Sequence, residues 1–269
     1  MAGEENSMFT QKYGPWALIA GGSEGVGASF ARKLAAKGLN LVLLARKPAP
    51  LEEVAHQVRS NFGVQVRTAS LDLRLPDVLD RVRALTDDIE VGMLIYNAGV
   101  IAPSAFLDRS LDQNLKSLRL TVNGPVVLAH HFGTAMRERA RGGIIILGSM
   151  SSFAGSQNFV LYSAAKSFDV IFGEGLWYEL RPHGVNVLSL IIGLTRTPKL
   201  VQSGGLELAR QTGQPVLEPD DAAQEGLDNL ENGPTWIAGA YNREWAKALA
   251  QMDRKSAVET LSGASNSGS

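Results

Sequence analysis

Tyr162 and Lys166 stand four residues apart in the stretch "LYSAAK". On a helix that spacing offsets the two side chains by roughly 40°, so they share one face. A phenol titrates near ~10, and bringing it to neutrality requires stabilising the phenolate by about 4 kcal/mol. A neighbouring ammonium can contribute much of that. A tyrosine so placed can give a proton to a carbonyl oxygen, or take one from an alcohol. Ser149 ends the apolar run "GIIILG", thirteen residues before the tyrosine, and from there its hydroxyl can hold the reacting oxygen. The tyrosine–lysine pair alone also fits a surface tyrosine beside a solvated lysine, so the elements around it must decide.

Those elements alternate. Short β-type runs fall at 16–20, 39–45, 64–71, 92–96, 143–148, 185–192 and 235–239. Several are almost wholly apolar, as in strands of a parallel sheet covered on both faces. Helix-length segments lie between them at 25–38, 50–61, 75–88, 111–140 and 161–181, and Gly38, Gly142 and Gly184 mark helix ends. The pattern predicts an α/β fold: a single-domain, doubly wound parallel sheet of the Rossmann-like kind, about seven strands with helices on both faces. Residues 1–14 read as an N-terminal extension, 15–261 as one catalytic domain, 194–220 as a mobile substrate loop, and 262–269 as a disordered tail.

Ligands in such a sheet bind beyond the C-terminal strand ends, where the strand order reverses. The turn after the first strand reads "GGSEGVG", with Gly21, Gly25 and Gly27 spaced G-x-x-x-G-x-G. Glycines let a backbone approach a pyrophosphate closely, and a helix N-terminus supplies N–H groups to it. No lysine follows as in a triphosphate-binding loop. The glycines alone also fit a tight turn with no ligand. At the end of the second strand, where an acid would bind the 2′-hydroxyl of NAD, the chain has Arg46 and Lys47. Two cations suit a 2′-phosphate, which favours NADP(H) over NAD(H), although Arg46 also fits a solvated loop charge.

Taken in order, the glycine turn, "LDL" with Asp72, "YNAG" with Asn97, Asn123 in "TVNG", Ser149, Tyr162 and Lys166 resemble the short-chain dehydrogenases/reductases. The resemblance spans about 15–200. It implies hydride transfer between NAD(P) and a carbonyl/alcohol pair, with Tyr162 as acid/base and Ser149 positioning the carbonyl. Lys166 would bind the nicotinamide ribose and lower the tyrosine pKa, and Asn123 would hold a water in a proton relay. The implied cofactor wall comprises Gly21, Ser23, Glu24, Gly25, Val26 and Gly27 of the turn, then Arg46, Asp72 and Leu73. Asn97, Ala98 and Gly99 continue it, followed by Tyr162, Lys166, Gly193, Thr195 and Thr197. Asp72 would meet the adenine and Thr197 the carboxamide.

Three positions depart from the family pattern. Ala20 stands where the turn has threonine, Ile192 replaces a proline before Gly193, and the glycine-rich ending is replaced by a stretch that reads as a terminal helix. That ending, with "GPWALIAGGSEGVG", is similar to the branch reducing 3-oxoacyl thioesters and 17-oxosteroids. Met150, Phe153 and Phe159 would line a pocket for a large hydrophobic ketone. The same scaffold also serves redox-neutral lyases or epimerases and non-catalytic NADP(H) sensors. A sensor would be expected to lack the tyrosine or the lysine, and both are present.

Composition narrows the remainder. A net charge of −1 over 269 residues offers nucleic acid or an anionic membrane no electrostatic attraction. There is no cysteine, so disulfides and thiolate chemistry are excluded. The start of the chain lacks a signal-peptide pattern, and a cytoplasmic protein is expected. His56, His130, His131 and His183 have no ligand spacing, so no metal site is expected. Segments 111–140 and 161–181 carry more apolar residues than one sheet face needs, and in the family the equivalent helices often pair across a homodimer or homotetramer axis.

Overall fold

The computed structural model describes residues 2–101 and 103–266. Its strands are β1 (Trp16–Ala20), β2 (Asn40–Ala45), β3 (Val66–Ser70), β4 (Val91–Tyr96), β5 (Gly142–Ser149), β6 (Val185–Ile192) and β7 (Thr235–Ile237). They form one sheet in the order β3-β2-β1-β4-β5-β6-β7, and every pairing is parallel. The strand order reverses between β1 and β4, so a crevice opens where their C-terminal ends diverge.

Helices cover both faces. They are α1 (Ala2–Tyr13), α2 (Gly25–Ala36), α3 (Pro48–Phe62), α4 (Val78–Thr86), α5 (Leu111–Leu118), α6 (Gly124–Glu138) and α7 (Val160–Leu180). After these come α8 (Pro198–Gln202), α9 (Gly205–Thr212), α10 (Pro219–Asp228), α11 (Ala240–Gln251) and α12 (Arg254–Asn266). The strands are buried on both sides, and alternate residues serve opposite layers. Ala17 and Ile19 of β1 pack with Phe30 and Leu34 of α2, Val54 and Val58 of α3, and Ala223 of α10. Leu18 and Ala20 pack instead with Val82 of α4, Phe132 of α6 and Leu180 of α7. A third, smaller cluster joins Met150 and Ile191 to Ala246 and Leu249 of α11.

Several expected boundaries move. Residues 2–13 are helical rather than a loose extension, and Tyr13 is buried in the core, its hydroxyl donating to Asn186 Oδ1 at 2.9 Å and Glu231 Oε1 at 3.2 Å. The segment 194–220 holds two short helices, α8 and α9, and a parallel bridge between Thr195 and Leu217. The expected terminal helix is two, α11 and α12. Because α12 runs to Asn266, the disordered tail expected from 262 is helical over 262–266, and 267–269 lie outside the described residues. Among the described residues no helix is long and apolar enough to cross a membrane.

The predicted helix 111–140 is interrupted by a π-helical turn at Arg119–Asn123. There the Gly124 N–H bonds to the Arg119 carbonyl, five residues back. The Leu120 carbonyl therefore loses its usual partner, and the next residue, Pro125, has no N–H to offer. Tyr96, at the end of β4, donates its hydroxyl to that carbonyl at 2.5 Å. The contact is so close that a Cβ on Gly124 would lie 1.9 Å from the Tyr96 oxygen. This couples the π turn to the strand end that faces the crevice. Gly124→Ala is expected to lower stability by about 1–3 kcal/mol through this clash, measured as a reduced urea midpoint with an unchanged m-value.

Candidate active site

The crevice between β1 and β4 is a groove that runs past the ends of β2, β5 and β6. Its floor begins at the glycine turn. Asn97 donates its side-chain amide to the Gly21 carbonyl at 2.9 Å, locking the turn to the end of β4. A Cβ on Gly27 would meet that same carbonyl at 2.0 Å, so the helix start can close on the turn only without a side chain. Gly25, at φ +55°, presses against Thr197, whose Cγ2 would lie 2.8 Å from an added Cβ. At the start of α2, the N-cap residue Glu24 makes no side-chain capping bond and pairs with Lys47 at 3.1 Å. Backbone N–H groups at this helix end remain available to a ligand, which is the donor set a pyrophosphate takes. The turn therefore fits a dinucleotide.

Of the turn residues, Gly21, Ser23, Glu24, Gly25 and Val26 line the groove, while Gly27 supports it from behind. Arg46, Leu73, Asn97, Ala98, Gly99 and Thr197 also line it, as do Tyr162 and Lys166. Among the described residues Arg46 has no ion-pair partner, so its charge is available at the end of β2.

Four other expected residues are placed as follows. Asp72 stands between Leu71 and Leu73, which line the groove, and the Arg74 guanidinium holds both its oxygens, at 2.8 Å to Oδ1 and 2.5 Å to Oδ2. The hydrogen bonds from Arg74 hold the Asp72 carboxyl below its ordinary range. Thr195 is buried and turns back to the Gly193 carbonyl at 3.1 Å, and Gly193 backs onto Asn242. Neither lines the groove. The Asn123 side chain ends the π turn exposed, outside the groove.

Tyr162 and Lys166 line the other end of the groove, and Ser149 follows the groove-lining Leu147 and Gly148 at the end of β5. Tyr162 sits in the first turn of α7, and Phe159, just before that helix, meets its ring edge-on at 6.1 Å between centroids. Ser149 ends β5, and its oxygen accepts the Ser151 N–H at 3.2 Å. The serine hydrogen is left to donate elsewhere. Lys166 is buried, one helical turn beyond Tyr162. Its ammonium donates to the Leu147 carbonyl at 2.6 Å and to Asp169 Oδ2 at 2.9 Å. Burial works against the charge, but the Asp169 carboxylate and the Tyr162 oxygen outweigh it, and the Lys166 pKa is raised. Such an arrangement can stabilise a phenolate and pass a proton to or from a substrate oxygen.

The pocket wall differs from expectation. Met150 and Phe153 pack into the apolar cluster beneath α11, and Arg254 of α12 donates to the Phe153 carbonyl at 2.6 Å. Phe159 alone of the three stands beside Tyr162. Sequence reasoning also missed residues on the groove wall. Lys199 of α8 reaches across to the Ile101 carbonyl and so spans the two loops that border the groove. Burial and the nearby Arg46 charge lower its pKa. Asp169 was also missed, although its place three residues after Lys166 was readable as a helix neighbour. Lys199 gave no periodic signal.

Comparison with known proteins agrees with this geometry. The chain is 28% identical over 253 residues to a 7beta-hydroxysteroid dehydrogenase of Clostridium sardiniense, covering 94% of this chain and 96% of that one. It is 31% identical over 184 residues to the very-long-chain 3-oxoacyl-CoA reductase of Rattus norvegicus, covering 67% of this chain and 59% of the reductase. A solved structure from work on 7beta-hydroxysteroid dehydrogenase stereoselectivity superposes with a TM-score of 0.89 at 26% identity, covering 94% and 98% of the two chains. A short-chain dehydrogenase of Sphingobium yanoikuyae in complex with NADPH superposes with a TM-score of 0.76 at 28% identity, covering 88% and 93%. Residues 15–204 match the short chain dehydrogenase family model, and with the glycine turn, the lysine and the tyrosine gathered on one groove, the chain belongs to that family.

Proposed function

We propose that the protein transfers a hydride between NADP(H) and a bulky hydrophobic carbonyl or secondary alcohol, an oxosteroid or a 3-oxoacyl thioester. The observation that carries this reading is the groove itself. Tyr162 and Lys166 lie at one end, and the glycine turn and Arg46 lie at the other. Ser23, Glu24, Gly25 and Val26 would hold the pyrophosphate, Arg46 the 2′-phosphate, and Asn97, Ala98 and Gly99 the middle of the dinucleotide. When bound, NADPH supplies the hydride. The protein supplies the proton: Ser149 donates its hydroxyl hydrogen to the substrate oxygen, and Tyr162 protonates that oxygen as the carbonyl is reduced, or deprotonates it in the reverse direction. Lys166 stabilises the phenolate left behind.

The steroid and oxoacyl classes are supported by the names of the relatives, by Phe159 beside Tyr162 and by apolar residues such as Ile192 on the groove wall. Oligomerisation through α5 and α7 belongs to the same reading. Leu111 and Leu115 of α5 are exposed, as are Ile171 and Tyr178 of α7. Ile171, Gly175 and Tyr178 share one helical face, and nothing lies within 4 Å of a Cβ placed on Gly175. A second copy could lay its own α7 there. A cytoplasmic location is part of the reading, and a chain without cysteine is suited to it.

The direct test is NADPH consumption, followed over a panel of steroids, acyl thioesters and small polar ketones. Oxidation of NADPH in step with steroid or thioester reduction is expected. Turnover without net NADPH change, or turnover of small polar ketones alone, would refute the reading. Tyr162→Phe should lower kcat/KM by at least about 10²-fold and leave NADPH affinity, read by fluorescence titration, within a few-fold. Arg46→Ala removes a charge-assisted contact of about 1.5–3 kcal/mol, so the NADPH dissociation constant should rise roughly 10- to 100-fold while that for NADH changes little. Ile171→Glu should shift the sedimentation coefficient from that of an oligomer to that of a monomer without loss of helical signal.

A further inference from the structure

Asp169 lies inside the helix that carries the acid–base pair, and it takes no direct part in the proton transfer described above. It is 1% exposed. One carboxylate oxygen takes the Lys166 ammonium at 2.9 Å, and the other, Oδ1, is buried without a hydrogen-bond partner. As a contribution to folding this is a poor choice. A buried ion pair rarely exceeds a hydrophobic pair of the same volume, and an unpartnered oxygen adds a desolvation cost. Only an apolar replacement of both Lys166 and Asp169 would avoid both costs, because removing the carboxylate alone would strand the buried ammonium. The position therefore calls for an explanation in chemistry rather than in packing.

An ammonium has three N–H donors. Two are committed inward, to the Leu147 carbonyl and to Asp169. Fixing two directions fixes the third, which is left for the groove that Lys166 lines beside Tyr162. Asp169 also supplies the counter-charge that an ammonium needs when it is taken out of water. Without it the same burial would favour a neutral amine, which has one donor fewer and no charge with which to stabilise a phenolate.

We propose that Asp169 is a positioning residue that keeps the buried Lys166 ammonium charged and aimed at the groove, so that Tyr162 is tuned by the Lys166–Asp169 pair and not by the lysine alone. The proposal rests on the reading of Tyr162 and Lys166 as the proton-transfer pair. The groups that face the pair are few. From α7 they are Tyr162 and the two partners themselves. From β4 there is Tyr96, whose phenol is pushed far up by burial and by the Asp169 charge and so stays neutral. From β5 there is the Leu147 carbonyl, and from β6 the Ser189 hydroxyl, which donates weakly to the Asp169 main-chain carbonyl at 3.4 Å. From the π turn, Arg119 points to solvent.

The sign follows from these contacts. Burial lowers a lysine pKa and Asp169 raises it, so removing the carboxylate charge must move Lys166 deprotonation down in pH. Asp169→Asn keeps an acceptor in the same place and removes the charge. Asp169→Ser, which leaves room for a water, is the second variant should the first not fold. The Lys166 titration is read on the cofactor-free protein by NMR of 13C-labelled lysine, with Lys166→Arg identifying the signal. In the unaltered protein Lys166 is expected to stay charged to the alkaline limit of folding, and in either variant to lose its proton at least about one pH unit lower. In the variants kcat/KM for carbonyl reduction should fall at alkaline pH as Lys166 loses its proton, a limb that the unaltered protein does not show there. A merely structural Asp169 would lower the urea midpoint and leave both titrations unmoved, and that result would overturn the proposal. A neutral Lys166 near pH 7 in the unaltered protein would overturn it too. The two readings fail separately: full activity in Tyr162→Phe would end the proton-transfer assignment, whereas the lysine titration reports on Asp169 whatever Tyr162 does.

Discussion

The hydrogen bond from the Lys166 ammonium to the Leu147 carbonyl, at 2.6 Å, ties the helix that carries the chemistry to the strand that ends in Ser149. Leu147 is held on one side by Leu190 of β6, within an eight-residue parallel register. Its carbonyl therefore stands on one of the least deformable parts of the molecule. A charged group anchored there fixes the rotation of α7, and with it Tyr162 one turn earlier. The precision that proton transfer needs is thus derived from sheet register, not from loops.

The same groove is electrically divided. At the glycine turn Lys47 pairs with Glu24, while Arg46 and Lys199 both line the groove, and burial and then the Arg46 charge lower the Lys199 pKa. Like charges held together are unfavourable until an anion arrives between them. At the far end the buried cation is matched by a buried carboxylate, so that end carries charge separation but little net charge. A ligand with phosphates at one end and a neutral ring at the other meets both conditions, and an apolar substrate approaches the neutral end without an opposing field.

How much of this was readable from residues alone depended on the range of the interactions involved. The seven strands and their parallel pairing were legible because near-continuous apolar runs have only one use in such a sheet. The glycine turn, Tyr162 and Lys166 were legible because their spacing is local. The π turn was not: "TVNGP" reads as ordinary helix until Tyr96, from 24 residues earlier, takes the Leu120 carbonyl. The grip of Arg74 on the Asp72 carboxylate was not legible either, because a motif position does not reveal which neighbour competes for it. Tyr13 stood in the expected N-terminal extension, yet its hydroxyl reaches Asn186 and Glu231, more than 170 residues away.

Met150 and Phe153 show the same limit at the substrate end. They follow Ser149 directly, and their place in the sequence puts them on the pocket wall. Helices α11 and α12, formed by the last part of the chain, cover them. Met150 is sealed there and Phe153 is half-buried, so on the proposed reading more of the selection falls to Phe159, the Ile101 loop and the α8 segment that Lys199 fastens to it. These come from three separate connections, none of them part of the proton-transfer machinery. On that reading the reaction and the choice of substrate are set by different parts of the chain, the first by sheet register and the second by how distant segments close over it.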